Sequence, residues 1–454
     1  MTSRSVCNVM AVSCGGTVSP EWDAPSRFFF FPLDIPGRMR DDTDRIIADV
    51  AWHSGVQASL LNRDVLRQAD ELHLFSYELS PKMEAADQKW SGRCWAFAGL
   101  ALLRRELAEK YALPKDFELS ATYIMFYDKY EKAAAFLYYV EKRLEEGYSI
   151  DTDDRRMHRL LSDPIPDGAC WCTFDRLVKK YGIVPAVTMP ESASSKYTKH
   201  LNVLLRTLLL QSVLVPKFNR KEILERVLRL LCTCLGAPLK PHDCFTWTYR
   251  DRDDNVKTLQ VTPFELYQKT ERCDDVVLMN LPHEEYDKSY NVEYMDTVCA
   301  DHLPLSRLYN VKAEVLKQAA LDTLRDNHAV WFSCEFDACQ FRDQGLLHHD
   351  LIHLERGIGM RLAPKKDRFR VRAVDVNHAM LLTGFHGAEN ACFPVRWQVE
   401  NSFGDEHRDG YLSMTDQWFA DHVLEIVVPR AWVAKHHSAI LDTDPIMLPP
   451  WRFG

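Results

Sequence analysis

No apolar run in these 454 residues approaches the roughly 18 needed to cross a bilayer, so no membrane-spanning helix is expected. The 13 cysteines give no disulfide framework. Their number is odd, and Cys170/Cys172 and Cys232/Cys234 are Cys-x-Cys pairs, not zinc-knuckle spacings. Reduced thiols and a cytoplasmic location are the expectation. Residues 6–14 imitate a short signal peptide, but Asn8 and two cysteines interrupt them. Excess positive charge is missing too. A net charge of −9 makes no general case for nucleic acid or an anionic membrane as partner. A zinc-site pattern is missing as well: His349 and His353 would share a helix face, with His348 beside them, but lack the glutamate and third ligand of a zinc site. Residues 251–254 lack a full EF-hand loop. No metal or other cofactor is expected. There is no internal repeat and no low-complexity segment.

What is present is ordinary globular composition, 46% hydrophobic and 27% charged. Residues 1–40 read as an irregular leader with a phenylalanine plug at 28–31. Residues 41–69 have helical periodicity, with Ile46, Val50, Val56 and Leu60 on one face. Residues 70–87 read as extended or loop and 91–148 as mostly helical, Tyr123, Phe126, Tyr127 and Tyr130 falling at core spacing. Asp167, Gly168, Ala169, Cys170 and Trp171 spell a turn. A helix over 177–181 follows and stops at Gly182. Residues 200–235 are helical and end at Gly236 and Pro238. Residues 245–249 alternate as a strand that turns at 253–255. Thr262, Pro263 and Glu265 then form a capping box with proline at the first helical position. The run Lys365, Lys366, Asp367, Arg368 reads as a solvated turn. Buried or half-buried strands are expected at 329–334, 380–383, 395–399, 410–414 and 424–428.

Chemistry concentrates at residues 88–100. Ser91, Gly92 and Arg93 read as loop and cap, and the residues after Cys94 have helical composition. Cys94 therefore falls in the first turn of a buried helix, where unpaired N–H groups and the helix dipole favour a thiolate. Gln88 lies six residues earlier, within reach as an oxyanion donor. Two distant stretches complete a set. His378 opens an apolar strand, and Asn401 ends another before a turn at Ser402, Phe403 and Gly404.

Gln88, Cys94, His378 and Asn401, in this order and each in its own local frame, resemble the papain-like cysteine peptidases. The flanking blocks resemble the bleomycin hydrolase branch more closely. They include Glu118-Leu119-Ser120, Asp128-Lys129, Asp167-Gly168, Phe245 to Trp247, Tyr290 to Met295, and Thr443 to Trp451.

The resemblance implies a papain-like α+β fold, a helical half plus a β-barrel-like half, with a large and mainly helical insertion. The divisions expected are 1–69 as leader and helix, 70–190 as the helical half with Cys94, 191–328 as the insertion and oligomerisation region, 329–440 as the β half with His378 and Asn401, and 441–454 as an arm toward the cleft. It implies a cysteine aminopeptidase acting on peptides and small amides. Cys94 is its nucleophile, paired with His378 as imidazolium. Asn401 orients the ring, and Gln88 with the Cys94 N–H forms the oxyanion hole. Gly168 and Ala169 border the substrate, and the carboxylate of Gly454 meets its amino group. A homo-hexameric ring is implied as well. Two residues depart from the family. Ala169 replaces a glycine, at a cost on the order of 1 kcal/mol if that position has positive φ. Phe403 replaces the tryptophan that shields the His–Asn bond. The alternatives are a catalytically weak peptide-binding scaffold of the same fold and a nucleic-acid-binding ring.

Overall fold

Helices begin where the sequence supplies a cap. Ser120 accepts from the Tyr123 N–H ahead of Ala121–Glu145, Asp154 from Met157 ahead of Arg155–Ser162, and Asn219 from Lys221 and Glu222 ahead of Arg220–Leu235. The Thr262–Glu265 capping box opens Pro263–Gln268 as expected. The expected stop at Gly182 also forms. Gly182 has φ +78, and a Cβ there would lie 2.1 Å from the Pro263 carbonyl carbon, so no other residue fits. Its helix, Trp171–Tyr181, starts six residues earlier than periodicity indicated.

The computed structural model describes residues 42–151, 153–215, 217–272, 274–295, 297–298, 306–387 and 393–452. The phenylalanines at 28–31 and Gly454 lie outside them. Packing divides the chain into two units, Met1–Ser59 and Leu60–Gly454. In the first, helix Asp42–Ser54 buries none of its side chains, and Ile46, Val50 and Trp52 stay exposed. The helical stretch expected at 41–69 is broken: Gly55 turns the chain at φ +84, and Asn62 caps a fresh helix, Arg63–Arg67.

The second unit is built on a twelve-stranded sheet. Its order runs Ile446–Leu448, Lys288–Val292, Leu308–Asn310, Asp275–Met279, Val423–Pro429, Val330–Cys334, His378–His386, Arg396–Glu400, Tyr411–Thr415, Leu346–Leu347, Gln340–Phe341. Tyr77–Glu78 adds to His378–His386 off this path. Most neighbours are antiparallel. Val330–Cys334 is buried at every position, which explains its unbroken apolar run. The Cys94–Lys110 helix packs on His378–His386 and Val330–Cys334.

Residues 191–328 hold the helices Lys199–Ser212 and Arg220–Leu235 and the hairpin Phe245–Arg250/Val256–Val261. They also send three strands into the central sheet, with Asp275–Met279 pairing directly with Val423–Pro429. The solvated turn expected at 365–368 is instead part of a helix, Lys365–Arg370. Arg368 is buried against Glu335, and the Lys365 Nζ donates to Asn280 Oδ1 (2.9 Å) and the Val423 carbonyl (2.6 Å). The His349/His353 helix face does not form either, because the local helix begins only at Leu354.

Candidate active site

Cys94 is the first residue of its helix. Arg93 stands at the N-cap without a side-chain cap. The guanidinium of Arg93 is instead held by both oxygens of Glu191, at 2.9 and 2.8 Å. Burial alone would raise the Glu191 carboxyl, but Arg93 outweighs it and holds it low. Gly92 is fixed by close approach. Its N–H donates to Asp167 Oδ2 at 3.0 Å, and a Cβ there would sit 2.8 Å from the Asp167 Cβ. The Trp95 indole donates to the Asp167 carbonyl at 3.0 Å. Asp167 therefore grips the chain on both sides of Cys94.

That grip rests on two buried lysines. Lys129 pairs with Asp167 at 2.8 Å, and its Nζ also donates to the Pro166 carbonyl. Lys132 pairs with Asp128 at 2.9 Å and donates to the carbonyls of Pro166 (3.0 Å) and Gly168 (2.9 Å). Burial works against the charge on Asp167, but Lys129, Thr198 and Asn202 outweigh it and hold its carboxyl far below the usual range.

His378 and Asn401 come together across the sheet. The Asn401 Oδ1 accepts from the Ser402 N–H at 2.8 Å and lies 2.7 Å from His378 Nε2. An oxygen already accepting fixes the roles: His378 Nε2 is the donor, and Nδ1 is the free acceptor of the neutral ring. Glu400, next to Asn401, binds Arg104 at 2.7 Å and also pairs with Arg105, both from the Cys94 helix. Burial would raise the Glu400 carboxyl, but Arg105 and Arg104 outweigh it. Two buried ion pairs thus tie the Cys94 helix to the strand that carries Asn401.

Cys94 and His378 line one cleft of about 660 Å³ together with Gly92, Gly168, Ala169 and Pro450. Burial pushes the Cys94 thiol up to about 11. The backbone N–H groups of Ala379, Trp95 and Cys94 itself pull the other way. Burial also lowers His378 to about 4, against the favourable bond to Asn401. Each charge alone is opposed. An ion pair here depends on both charges forming together, so that their mutual attraction replaces lost hydration.

Gln88 is held near this loop. Its Nε2 donates to the Ser91 carbonyl at 2.6 Å, and its Oε1 accepts from Ser402 Oγ at 2.6 Å. Gly168 and Ala169 lie on the cleft wall. Neither has positive φ, so the strain considered for Ala169 is not present. Phe403 does face the imidazole, ring centroids 5.1 Å apart. A second ring, Phe336, lies closer at 4.6 Å. Sequence reasoning missed Phe336, which follows a buried strand and sits in no recognisable motif. Of the arm at 441–454, residues 441–452 are described. Ile446–Leu448 pairs with Tyr290–Val292, Pro450 reaches the cleft, and the Arg155 guanidinium lies 4.1 Å from the Trp451 ring.

The sequence model of the Peptidase C1-like family matches residues 38–453. Bleomycin hydrolase of Gallus gallus is 30% identical over 445 residues, spanning 91% of this chain and 95% of the relative. Aminopeptidase C of Listeria monocytogenes is 31% identical, with the same coverage of 91% and 95%. Aminopeptidase G of Lactobacillus delbrueckii subsp. lactis is 34% identical over 90% and 95%. Among solved structures, the crystal structure of pepw from Lactobacillus rhamnosis HN001 superposes with a TM-score of 0.82 at 28% identity, covering 90% of this chain and 94% of that one.

Proposed function

Because the chain belongs to the Peptidase C1-like family, we propose that it is a cysteine aminopeptidase that releases N-terminal residues from peptides and small amides. The names of its relatives, bleomycin hydrolase and aminopeptidases C and G, support this reading. The observation that carries it is the 2.7 Å bond between His378 Nε2 and Asn401 Oδ1. It leaves Nδ1 as the base on the cleft that Cys94 also lines.

Cys94 Sγ attacks the substrate carbonyl carbon and forms a thioester. His378 Nδ1 takes the thiol proton and delivers it to the departing amine. A water then gives its proton to His378 and attacks the thioester, releasing the acid and restoring the thiol. Asn401 keeps the ring in the productive tautomer. The oxyanion receives the Cys94 N–H and the second N–H of the Gln88 amide, and losing one such donor typically lowers the rate by about 10²–10³. Gly168 and Ala169 border the bound residue. We assign the arm at 441–454 to one end of the cleft, and the carboxylate of Gly454, which lies outside the described residues, to the substrate's amino group. Removing residues 452–454 should lower hydrolysis of single-residue amides and raise cleavage of N-terminally blocked peptides.

Iodoacetamide at pH 6–7 tests the nucleophile. Burial alone holds the thiol protonated there, so rapid labelling of Cys94 requires the thiolate–imidazolium pair. We expect Cys94 to be labelled first and Cys94→Ala to be inert. Labelling spread evenly over the cysteines would sink the reading. A homo-hexamer in the cytoplasm completes the proposal. Exposed Val203, Leu204, Leu214 and Val215, within 191–328, support an assembly surface. A monomer by light scattering at micromolar concentration refutes the hexamer.

A further inference from the structure

Glu425 is 2% exposed, yet it lines the same cleft as Cys94 and His378. It sits on Val423–Pro429, paired with Ser333 on Val330–Cys334, and Ser333 is paired in turn with Ala379 on His378–His386. Directly paired residues of antiparallel strands share a face, and all three of these reach the cleft. Ser333 Oγ donates to Glu425 Oε2 at 3.1 Å, which fixes the carboxyl. Among the described residues nothing donates to Oε1, which is buried without a partner. Two cationic side chains line this cleft, Lys132 and Arg159; Lys132 is already committed to Asp128 and two carbonyls, and neither donates to Oε1. A buried oxygen left without a donor is costly unless something else fills the need.

We propose that Glu425 is a specificity residue that receives the charged head of a lysine or arginine side chain of the substrate. The inference rests on the peptidase reading of the cleft. Distance argues for a side chain. Glu425 lies two strands from Ala379, roughly 10 Å at ordinary strand spacing, and the Ala379 N–H meets the Cys94 thiol. The α-amino group of the residue being released is held too near the scissile carbonyl to span that gap. A lysine or arginine stem can cross it, its methylenes lying along the apolar wall while the head reaches the carboxylate. Burial, with Cys170 adding to it, pushes the carboxyl up to about 8. An arriving cation supplies the missing partner and stabilises the carboxylate.

Arginine and citrulline differ in charge at nearly equal shape, so they form the probe pair. Arylamides of either residue alone place the head at the released position, and amides with alanine ahead of either residue, cleaved after the alanine, place it at the next. We expect the intact chain to favour arginine over citrulline by at least about tenfold in kcat/KM in one series, the scale of a buried charged hydrogen bond. Glu425→Gln should bring that ratio close to one, mainly through KM. A ratio near one in both series for the unaltered chain overturns the inference without any variant. So does a preference that survives Glu425→Gln. A chain that hydrolyses leucine and citrulline amides while ignoring charge overturns this inference alone. One that hydrolyses no amide of either series overturns the peptidase reading and this inference with it.

Discussion

The two walls of the cleft are held by different forces. The Cys94 wall is built on charge: Arg93 on Glu191, Lys129 on Asp167, and Lys132 on Asp128. The His378 wall is built on strand register and aromatic packing. His378 pairs with Cys334, and Phe336 and Phe403 cover its ring. Its one close polar partner, Asn401, is neutral. Charges that are buried and paired define geometry rigidly, and removing one partner is expensive. A neutral imidazole among rings can gain or lose a proton with little rearrangement. The nucleophile's wall is therefore suited to position and the base's wall to proton transfer. Mutations on the first should damage the fold, and mutations on the second should damage the chemistry.

The largest effect expected is from His378→Gln. Glutamine can still donate to Asn401, so stability at pH 7.5 should change by about 1 kcal/mol or less, while kcat/KM on a leucine amide falls by about 10⁴. Urea unfolding alongside the kinetics checks both halves. A variant that loses stability in proportion to activity would contradict the contrast between the walls. Lys132→Met makes the opposite case. It strands Asp128, takes the donor from the Gly168 carbonyl and leaves the Pro166 carbonyl to Lys129 alone, at a cost of about 3–5 kcal/mol. Adding Asp128→Leu should recover part of that loss. If the single variant unfolds at the same urea concentration as the unaltered chain, the charged wall is not what positions this loop.

These differences also explain what was legible beforehand. Cys94, His378 and Asn401 each carry a local signature: a helix start, a strand start, a strand end. The folded chain brings His378 and Asn401 into contact and puts Cys94 on the same cleft. The Thr262 box and the Gly182 stop were readable because their causes lie within a few residues. Lys365 was misread because its partners are Asn280 and the Val423 carbonyl, both far away in sequence. A charge run looks solvated until the strands that receive it are in place. Phe336 escaped for the same reason. The three strands from 191–328 were hidden because no local pattern says which sheet a strand will join.

Proton linkage gives a smaller effect and isolates the second wall. With no thiolate beside it, the folded His378 is depressed to about 4, below its ordinary 6.5. Its contribution to stability is present above pH 6.5 and is lost as pH falls toward 4. Glu425 and Asp128, whose carboxyls burial raises, act in the opposite direction over acidic pH. The whole-chain curve mixes these effects, so the informative quantity is a difference. Relative to Cys94→Ala, in which no thiolate can pair with the ring, Cys94→Ala with His378→Gln should gain stability between pH 6.5 and 4, by at most about 3 kcal/mol. Urea midpoints for both proteins at pH 7.5, 6, 5 and 4 measure it. A constant difference across that range means His378 is not depressed by burial.

The smallest effect concerns the two rings over the base. Phe403 stands where the family resemblance implies a larger tryptophan, yet Phe336 covers the same imidazole from a shorter distance. The two rings also pack edge-on against each other at 5.9 Å, and the Arg342 guanidinium lies over both, at 5.1 Å from Phe403 and 5.6 Å from Phe336. With two covers, loss of one admits water to only part of the ring. Phe403→Ala should then raise the His378 titration by about one unit toward its ordinary value, since partial rehydration restores part of the charged form's solvation. Phe336→Ala should raise it at least as much, and the double variant should raise it further than either. NMR titration of the His378 ring in a Cys94→Ala background reads this without interference from the thiol. If Phe403→Ala alone restores the full ordinary value, Phe336 shields nothing. If Phe403→Ala changes nothing, the shield has passed entirely to Phe336, a residue outside the Asn401–Gly404 motif.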